Sequence, residues 1–292
     1  MSKFERIYAH ALINFAPLEL RVKLLMLRSL GYWPNIGNPK TFNEKIAYRK
    51  LRQRDNRYRV LADKWTVRDY VKSKIGGGYL RKVFSVICSI SELNFERLPE
   101  RFVAKPAHMS GEVYFVPSKV KVNREQFIRI LRNWLNKKYR NGIKQGEYWY
   151  EEMSPKVMFE ELLLDGKYSI PLDFKFFVFH GKVHAIQVDF DRFINHCINF
   201  YTREWRQIPM RKGNYPNKPV DPHDVRPNKL EEMITAAETL GKDFDFVRVD
   251  FHYLFNIDRV VFSEMTFAPG SGCSPFTPNY YDLKFGKLWR LN

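Results

Sequence analysis

Apolar residues recur along this chain at two spacings. Over residues 1–85 they fall every three to four positions, the repeat of helices that bury one face. TFNEK (Thr41–Lys45) fits a capping box, with Thr41 as the cap and Glu44 reaching back to it. ADKWTVRDYVKSKIGGG (Ala62–Gly78) predicts a helix with Trp65, Val67, Tyr70, Val71 and Ile75 on its inner side and a stop at the glycines. From Val83 onward short apolar or alternating runs predict strands: Val83–Ile90, Arg101–Pro106, Glu112–Val116, Lys156–Leu164, Pro171–Phe179 and Lys182–Arg192. His180-Gly181 reads as a two-residue hairpin turn. Helices are expected over Val122–Gly142, with Asn123 as its cap, and over Pro227–Gly241. VRVDFHYLFNIDRVVFSEMTFAPGSG (Val247–Gly272) is a second hairpin followed by a Pro/Gly-rich loop. Residues 195–226 are rich in Pro, Asn and charge with little periodicity, and so long a stretch favours a binding or lid segment. Helices mixed with antiparallel strands define an α+β class.

Composition narrows the picture. The 292 residues allow two domains or one large one, and a content of 45% hydrophobic and 16% aromatic residues excludes disorder. Cys88, Cys197 and Cys273 form no CxxC pair, which argues against a disulfide framework or zinc knuckle and for a reducing cytoplasm. The N-terminus lacks the order of a secretory signal, and no apolar run reaches the ~18 residues of a spanning helix. Ala11–Leu30 comes nearest but carries Glu19, Arg21, Lys23 and Arg28. A packed amphipathic helix is expected there, with peripheral contact to the inner face of a membrane as the alternative. The net charge of +17 attracts nucleotides, acidic polymers, nucleic acid or anionic membranes. The basic residues are dispersed and no helix-turn-helix or zinc-finger pattern occurs, so nucleic acid is set aside.

The second hairpin carries the sharpest chemistry. A turn centred on Ile257 sets Asp250 directly opposite Glu264, side chains on one face and Cβ atoms ~5 Å apart. Like charges so placed need compensation. Mg²⁺ held jointly by the carboxylates and substrate phosphates would supply it; pairing with Arg248 or other basic residues is the alternative. Lys105 ends an apolar strand before a Ser-Gly turn, a place from which it can reach a phosphate. Glu160 and Glu161 fall on opposite faces of one strand. Pairing outward from His180-Gly181 groups Asp173 and Lys175 with His184, Ile186, Val188 and Arg192. No HExxH and no nucleophilic triad is present.

The order of these pieces resembles the ATP-grasp superfamily and, more narrowly, the TupA-like ATP-grasp family of bacterial surface-polysaccharide biosynthesis. The narrower likeness rests on NPKTFNEK (Asn38–Lys45), ADKWTVRDYV (Ala62–Val71), LPERFVAKPAHMSG (Leu98–Gly111), PLDFKFFVFHGKV (Pro171–Val183) and FSEMTFAPGSG (Phe262–Gly272). The resemblance implies an ATP-grasp fold, two α+β subdomains (86–160 and 161–292) gripping ATP behind a mostly helical N-terminal region (1–85). It implies that Lys64 and Lys105 hold the ATP phosphates under a loop containing His108, Ser110 and Gly111. Glu160, Glu161, Leu162 and Leu163 match the strand that lines the adenine, and Asp173 and Lys175 match ribose and phosphate contacts. Asp250 and Glu264 match the metal-binding acids. Thr266 stands where many ATP-grasp enzymes carry a metal-ligating Asn. Arg192 and Arg248 are then the candidates to stabilise the transferred phosphoryl group.

The activity implied is that of an ATP- and Mg²⁺-dependent carboxylate–amine ligase. It would join an amino acid or similar amine to a uronic acid of a surface glycan, whether polymeric, lipid-linked or nucleotide-linked. The basic segment 195–226 is the expected acceptor site, with Arg203, Arg206, Arg211 and Lys212 as its charges. The competing reading is a glycosyltransferase of capsule or lipopolysaccharide synthesis, for which DFD at Asp189–Asp191 or Asp243–Asp245 would be the metal motif.

Overall fold

The computed structural model describes residues 15–168 and 170–291. Helices α1 (Leu18–Leu30), α2 (Phe42–Arg52), α3 (Arg57–Ala62) and α4 (Val67–Ile75) precede two antiparallel sheets. Strands β1 (Val83–Ile87), β2 (Phe102–Pro106) and β3 (Tyr114–Val116), helices α5 (Arg124–Leu135) and α6 (Arg140–Lys144), and β4 (Val157–Glu160) build the smaller unit, its sheet ordered β1-β4-β2-β3. Next come β5 (Leu172–Phe179), β6 (Lys182–Phe190), β7 (Cys197–Tyr201), β8 (Gln207–Ile208), β9 (Arg211–Lys212), α7 (Leu230–Gly241), β10 (Phe246–Leu254) and β11 (Arg259–Thr266). The larger sheet runs β11-β10-β5-β6-β7-β8. β12 (Phe276–Thr277) pairs with β9, and α8 (Tyr280–Leu288) ends the fold.

Local signals account for much of this. Thr41 Oγ1 accepts from the Glu44 amide at 3.2 Å, while the Glu44 carboxylate accepts from the amides of Thr41, Lys40 and Asn35 at 3.0, 2.9 and 2.8 Å. Asn123 caps α5 through the Gln126 amide at 3.0 Å. His180 and Gly181 both have positive φ, 47° and 75°, as the tight hairpin turn requires. In α1, Val22 and Met26 pack against Ile36 and Ala47, as in a packed amphipathic helix. Residues 11–14 of that expected helix lie outside the described residues. No helix among the described residues is long and apolar enough to cross a membrane.

Three expectations fail for physical reasons. The helix expected from Ala62 begins only at Val67, because Asp63 Oδ1 takes the amides of Trp65 (2.8 Å) and Thr66 (3.0 Å). Such a side-chain turn competes with helix. It leaves Trp65 partly exposed and sends the Lys64 amide to Ala107 O at 3.0 Å. The helix expected to reach Gly142 breaks after Leu135, and Gly142 is instead a close-packing point. A Cβ there would sit 2.6 Å from the Tyr139 ring and 2.8 Å from that of Tyr150. Residues 195–226 contain β7, β8 and β9, strands too short for a period to show.

One end of the larger sheet is packed by an aromatic cluster. Phe42 of α2 meets Phe246 edge-on at 4.9 Å, and Phe179, Phe285 and Trp289 close around them. Arg49 is fully buried inside this cluster. It pairs with Asp245, donates to Phe246 O (2.9 Å) and Phe267 O (3.0 Å), and stacks 4.3 Å from the Trp289 ring. Phe246 and Phe179 fall on the same face of β10 and β5 as Arg248, Asp250, Lys175 and Asp173, so this packing closes one end of the face that bears the charged residues described next.

Candidate active site

A cleft of about 760 Å³ is lined by residues of both sheets. On the larger sheet β10 pairs with β11 so that Asp250 faces Glu264, as the hairpin reading predicts, with Val249–Met265 and Arg248–Thr266 alongside. On the other side of β10, Asp250 faces Lys175 and His252 faces Asp173 on β5. Successive neighbours therefore place Glu264, Asp250 and Lys175 in one row and His252 and Asp173 in the next.

The β5–β6 pairing departs from expectation. A bulge between Phe177 and Val178 shifts the ladder by one, so Lys175 faces Gln187 and Asp173 faces Asp189. A one-residue shift exchanges the faces of a strand. Gln187 and Asp189, rather than Ile186 and Val188, thus join the cleft. The bulge was invisible in the alternation, which is apolar on both faces near the turn.

The charges are compensated within the protein. Arg248 donates to both Asp250 oxygens at 2.7 and 2.6 Å, to Glu264 Oε1 at 3.1 Å and to Thr266 Oγ1 at 3.1 Å. Burial nevertheless pushes the Asp250 carboxyl up to about 6. Burial also opposes ionisation of Glu264, but Lys64, Arg248 and Arg192 outweigh it and hold that carboxyl down at about 2. Lys64 thus acts on Glu264 from the opposite wall.

Arg192 donates to Asp173 at 2.7 Å, and Lys175 bridges Asp173 (3.9 Å) and Asp189. His252 Nδ1 lies 2.9 Å from Asp173 and His196 Nε2 lies 3.3 Å from Asp189, both in ion-pair range without hydrogen-bond alignment. Against the opposing effect of burial, His252 and Lys175 keep the Asp173 carboxyl well below the usual carboxylate range.

On the smaller sheet, Lys105 pairs with the buried Glu160 at 2.6 Å, and Arg81 pairs with the same oxygen at 2.7 Å. Burial brings the Lys105 ammonium down to about 8 in spite of Glu160. Lys64 donates to Met109 O. Lys64, Lys105, Ser110, Gly111, Leu162 and Leu163 line the cleft.

Three expected site residues do not line it. His108 is buried and fastened to the main chain, with Nε2 2.9 Å from Lys137 O and Nδ1 accepting from the Lys156 amide at 3.2 Å. Glu160 serves Lys105 and Arg81 instead of presenting a free carboxylate. Glu161 is drawn off to Arg259 at 2.8 and 3.1 Å. β4 is also an inner strand, so Glu160 does not sit on a sheet edge. The sequence reading gives no sign of Arg81, Gln187, His196, His252 or Glu147 as cleft residues; it offers Asp189 only within a DFD motif, and Lys212 only among the charges of the 195–226 segment.

The two DFD motifs are absorbed by structural contacts. Asp189 belongs to Lys175, Asp191 pairs with Lys218 at 2.6 Å, Asp243 pairs with Lys74 at 3.0 Å and Asp245 belongs to Arg49. Neither offers an unpaired acid couple for a nucleotide-sugar metal.

For a divalent cation the donors that fit are the carboxylates of Asp250 and Glu264 with Thr266 Oγ1, an all-oxygen set suited to Mg²⁺. Among the described residues no group of three or more His, Cys, Asp or Glu is gathered as a ligand cluster. A metal here would therefore need further oxygens, from water or a bound substrate.

Two antiparallel sheets closing on one charged cleft make the architecture that of an ATP-grasp protein. Within that class the chain belongs to the TupA-like ATP-grasp family, whose profile matches residues 44–290. No curated protein matches the chain. Among solved structures it is similar to D-alanine–D-alanine ligase from Bacillus anthracis complexed with ATP, at 14% identity and a TM-score of 0.42, over 71% of this chain and 55% of that one. It is also similar to L-amino acid ligase from Bacillus licheniformis, at 15% identity and a TM-score of 0.44, over 83% of this chain and 51% of the other. The ATP-grasp ligase PsnB complexed with minimal precursor, Mg and ADP matches at 11% identity and a TM-score of 0.38, over 79% and 54%. The chain spans about half the length of these ligases.

Proposed function

We propose that the protein is an ATP-dependent carboxylate–amine ligase that joins an amino acid or similar amine to a uronic acid of a surface glycan. The observation that carries the reading is the meeting of Lys64 and Lys105 from one wall with Glu264, Asp250 and Lys175 from the other, across one cleft. In this reading the parts built from residues 86–160 and 161–292 grip the nucleotide between them.

Lys64, Lys105 and Lys175 would draw the triphosphate into the cleft as point charges, and Ser110 and Gly111 would cover it. Asp250 and Glu264, with Thr266, would hold Mg²⁺, which when bound neutralises charge on the transferred phosphoryl group. A carboxylate oxygen of the acid substrate attacks the γ-phosphorus, the bond to the β–γ bridging oxygen breaks, and ADP leaves with that electron pair. The amine nitrogen then attacks the acyl carbon, the C–O bond to phosphate breaks, and the amine proton passes to solvent. Arg192 and Arg248 stand beside the reacting charge and stabilise it without reorganising. Glu160 supports the site indirectly by keeping Lys105 charged.

Phosphate release from ATP tests the reading. Release that requires Mg²⁺, an amine and a uronate together is expected, and consumption of a nucleotide sugar in their place would overturn it.

Lys105 adds a pH signature. Its ammonium is charged below about 8 and lost above, so kcat/KM for ATP should fall as the pH rises through that value. Lys105→Arg should flatten the fall, and Lys105→Met should lower kcat/KM throughout. A profile identical in wild type and Lys105→Arg would remove Lys105 from phosphate binding.

A further inference from the structure

Lys212 is only 7% exposed and yet lines the cleft. It sits on β9, held by the pairing of Lys212 with Phe276 on β12 and by the Gly213 amide donating to Pro275 O at 2.8 Å. Its ammonium lies 5.3 Å from the Phe177 ring centre and 5.7 Å from that of Phe276.

Other buried lysines have polar partners. Lys50 donates to Ser271 O and Oγ at 2.7 and 2.9 Å, Lys105 has Glu160 and Lys175 has Asp189. Lys212 has none: among the described residues no carboxylate lies within ion-pair range of it and no acceptor hydrogen-bonds its ammonium. Its electrostatic neighbours include two more cations, Arg248 and Lys175, with Asp189 and Asp250 as the opposing acids. Burial and those cations bring its ammonium down to about 7. Both acids already serve Lys175 and Arg248. A desolvated ammonium among like charges is costly until an anion meets it.

The cleft is where that anion can come from. The same cleft is lined by His196 and Tyr215, whose rings lie 4.2 Å apart. Aromatic walls with a few placed polar groups are the usual make-up of a small-molecule site. Of the four basic residues expected to serve the acid substrate, Lys212 alone lines the cleft. Arg203 turns to Glu238 (3.4 Å) and Glu231 (3.9 Å), and Arg206 and Arg211 lie exposed outside it.

We propose that Lys212 seats the carboxylate of the acid substrate beside Arg248, and so selects an acidic sugar over a neutral one. The inference rests on the ligase reading above and assigns to one residue the choice of co-substrate.

The test measures binding to the full chain with Mg²⁺ and a non-hydrolysable ATP analogue present. D-glucuronate and D-galacturonate serve as probes, and D-glucose and D-galactose as neutral controls. Wild type should bind a uronate and neither neutral sugar. Lys212→Met should lose about tenfold or more in uronate affinity, as expected for one charge-assisted contact, and should keep its affinity for the ATP analogue. Lys212→Arg should recover part of the loss. Because the methionine removes an unmatched buried charge, Lys212→Met should also melt no lower than wild type. Unchanged uronate affinity in Lys212→Met, a lower melting point for it, or no uronate response in a wild type that binds the ATP analogue would each overturn the inference. A wild type that fails to bind the ATP analogue would overturn the ligase reading itself.

Discussion

Asp250→Asn and Glu264→Gln should each lower Mg²⁺-dependent ATP turnover by about 10²–10³-fold, the scale seen when one preorganised electrostatic contact to the reacting group is removed. Both substitutions keep the size of the side chain. Each also leaves Arg248 a carboxylate: Glu264 at 3.1 Å in the first variant, Asp250 at 2.7 and 2.6 Å in the second. The chain should therefore stay folded, which circular dichroism and a thermal melt would show. Turnover should be followed as phosphate release over a range of Mg²⁺ concentrations. If the carboxylates hold the metal, the surviving activity will demand more Mg²⁺ for half-saturation. Activity within a few-fold of wild type at the same Mg²⁺ demand would leave Arg248 as the whole reason for the two acids.

The largest stability effect is expected away from the cleft. Arg49→Ala should cost about 3–5 kcal/mol in urea or thermal unfolding, the range for breaking a buried ion pair by removing one partner. Asp245 would keep the Trp289 Nε1–H at 2.9 Å and the Phe246 amide at 2.8 Å, but no cation. The carbonyls of Phe246 and Phe267 would lose a donor at the same time. Arg52→Ala, at the end of the same helix, removes a half-exposed partner of Glu19 and is the control, expected to fall within about 1 kcal/mol of wild type. Equal losses for the two variants would show that the buried network contributes nothing special.

How far the site could be read from residue order depends on which side of a turn it lies. Asp250 does face Glu264, but counting from the turn reaches it through a slip of one residue: the ladder beside the turn is centred between Asn256 and Ile257, and only the irregularity between Asp250 and Phe251 brings the register onto Ile257. The Thr41 cap and the His180-Gly181 turn were legible because each is decided by a few neighbouring residues. Asp189 was not, since the Phe177–Val178 bulge is set by packing on both faces of β5. The spacing of apolar residues places Lys64 in a helix. Only the Asp63 carboxylate, competing for two amides, turns it toward the cleft. Composition groups Lys212 with exposed arginines, because burial beside two distant phenylalanines leaves no trace in the local sequence.

The β5–β6 bulge also bears on how related chains should be lined up. His184 is the residue without a partner, lying between Val183, which meets Val178, and Ala185, which meets Phe177. A homologue lacking that one position would keep both the tight tip of the hairpin and the cleft pairs Lys175–Gln187 and Asp173–Asp189. An alignment that forbids a gap there would set Asp189 against its hydrophobic neighbour and hide the site in a relative that still has it.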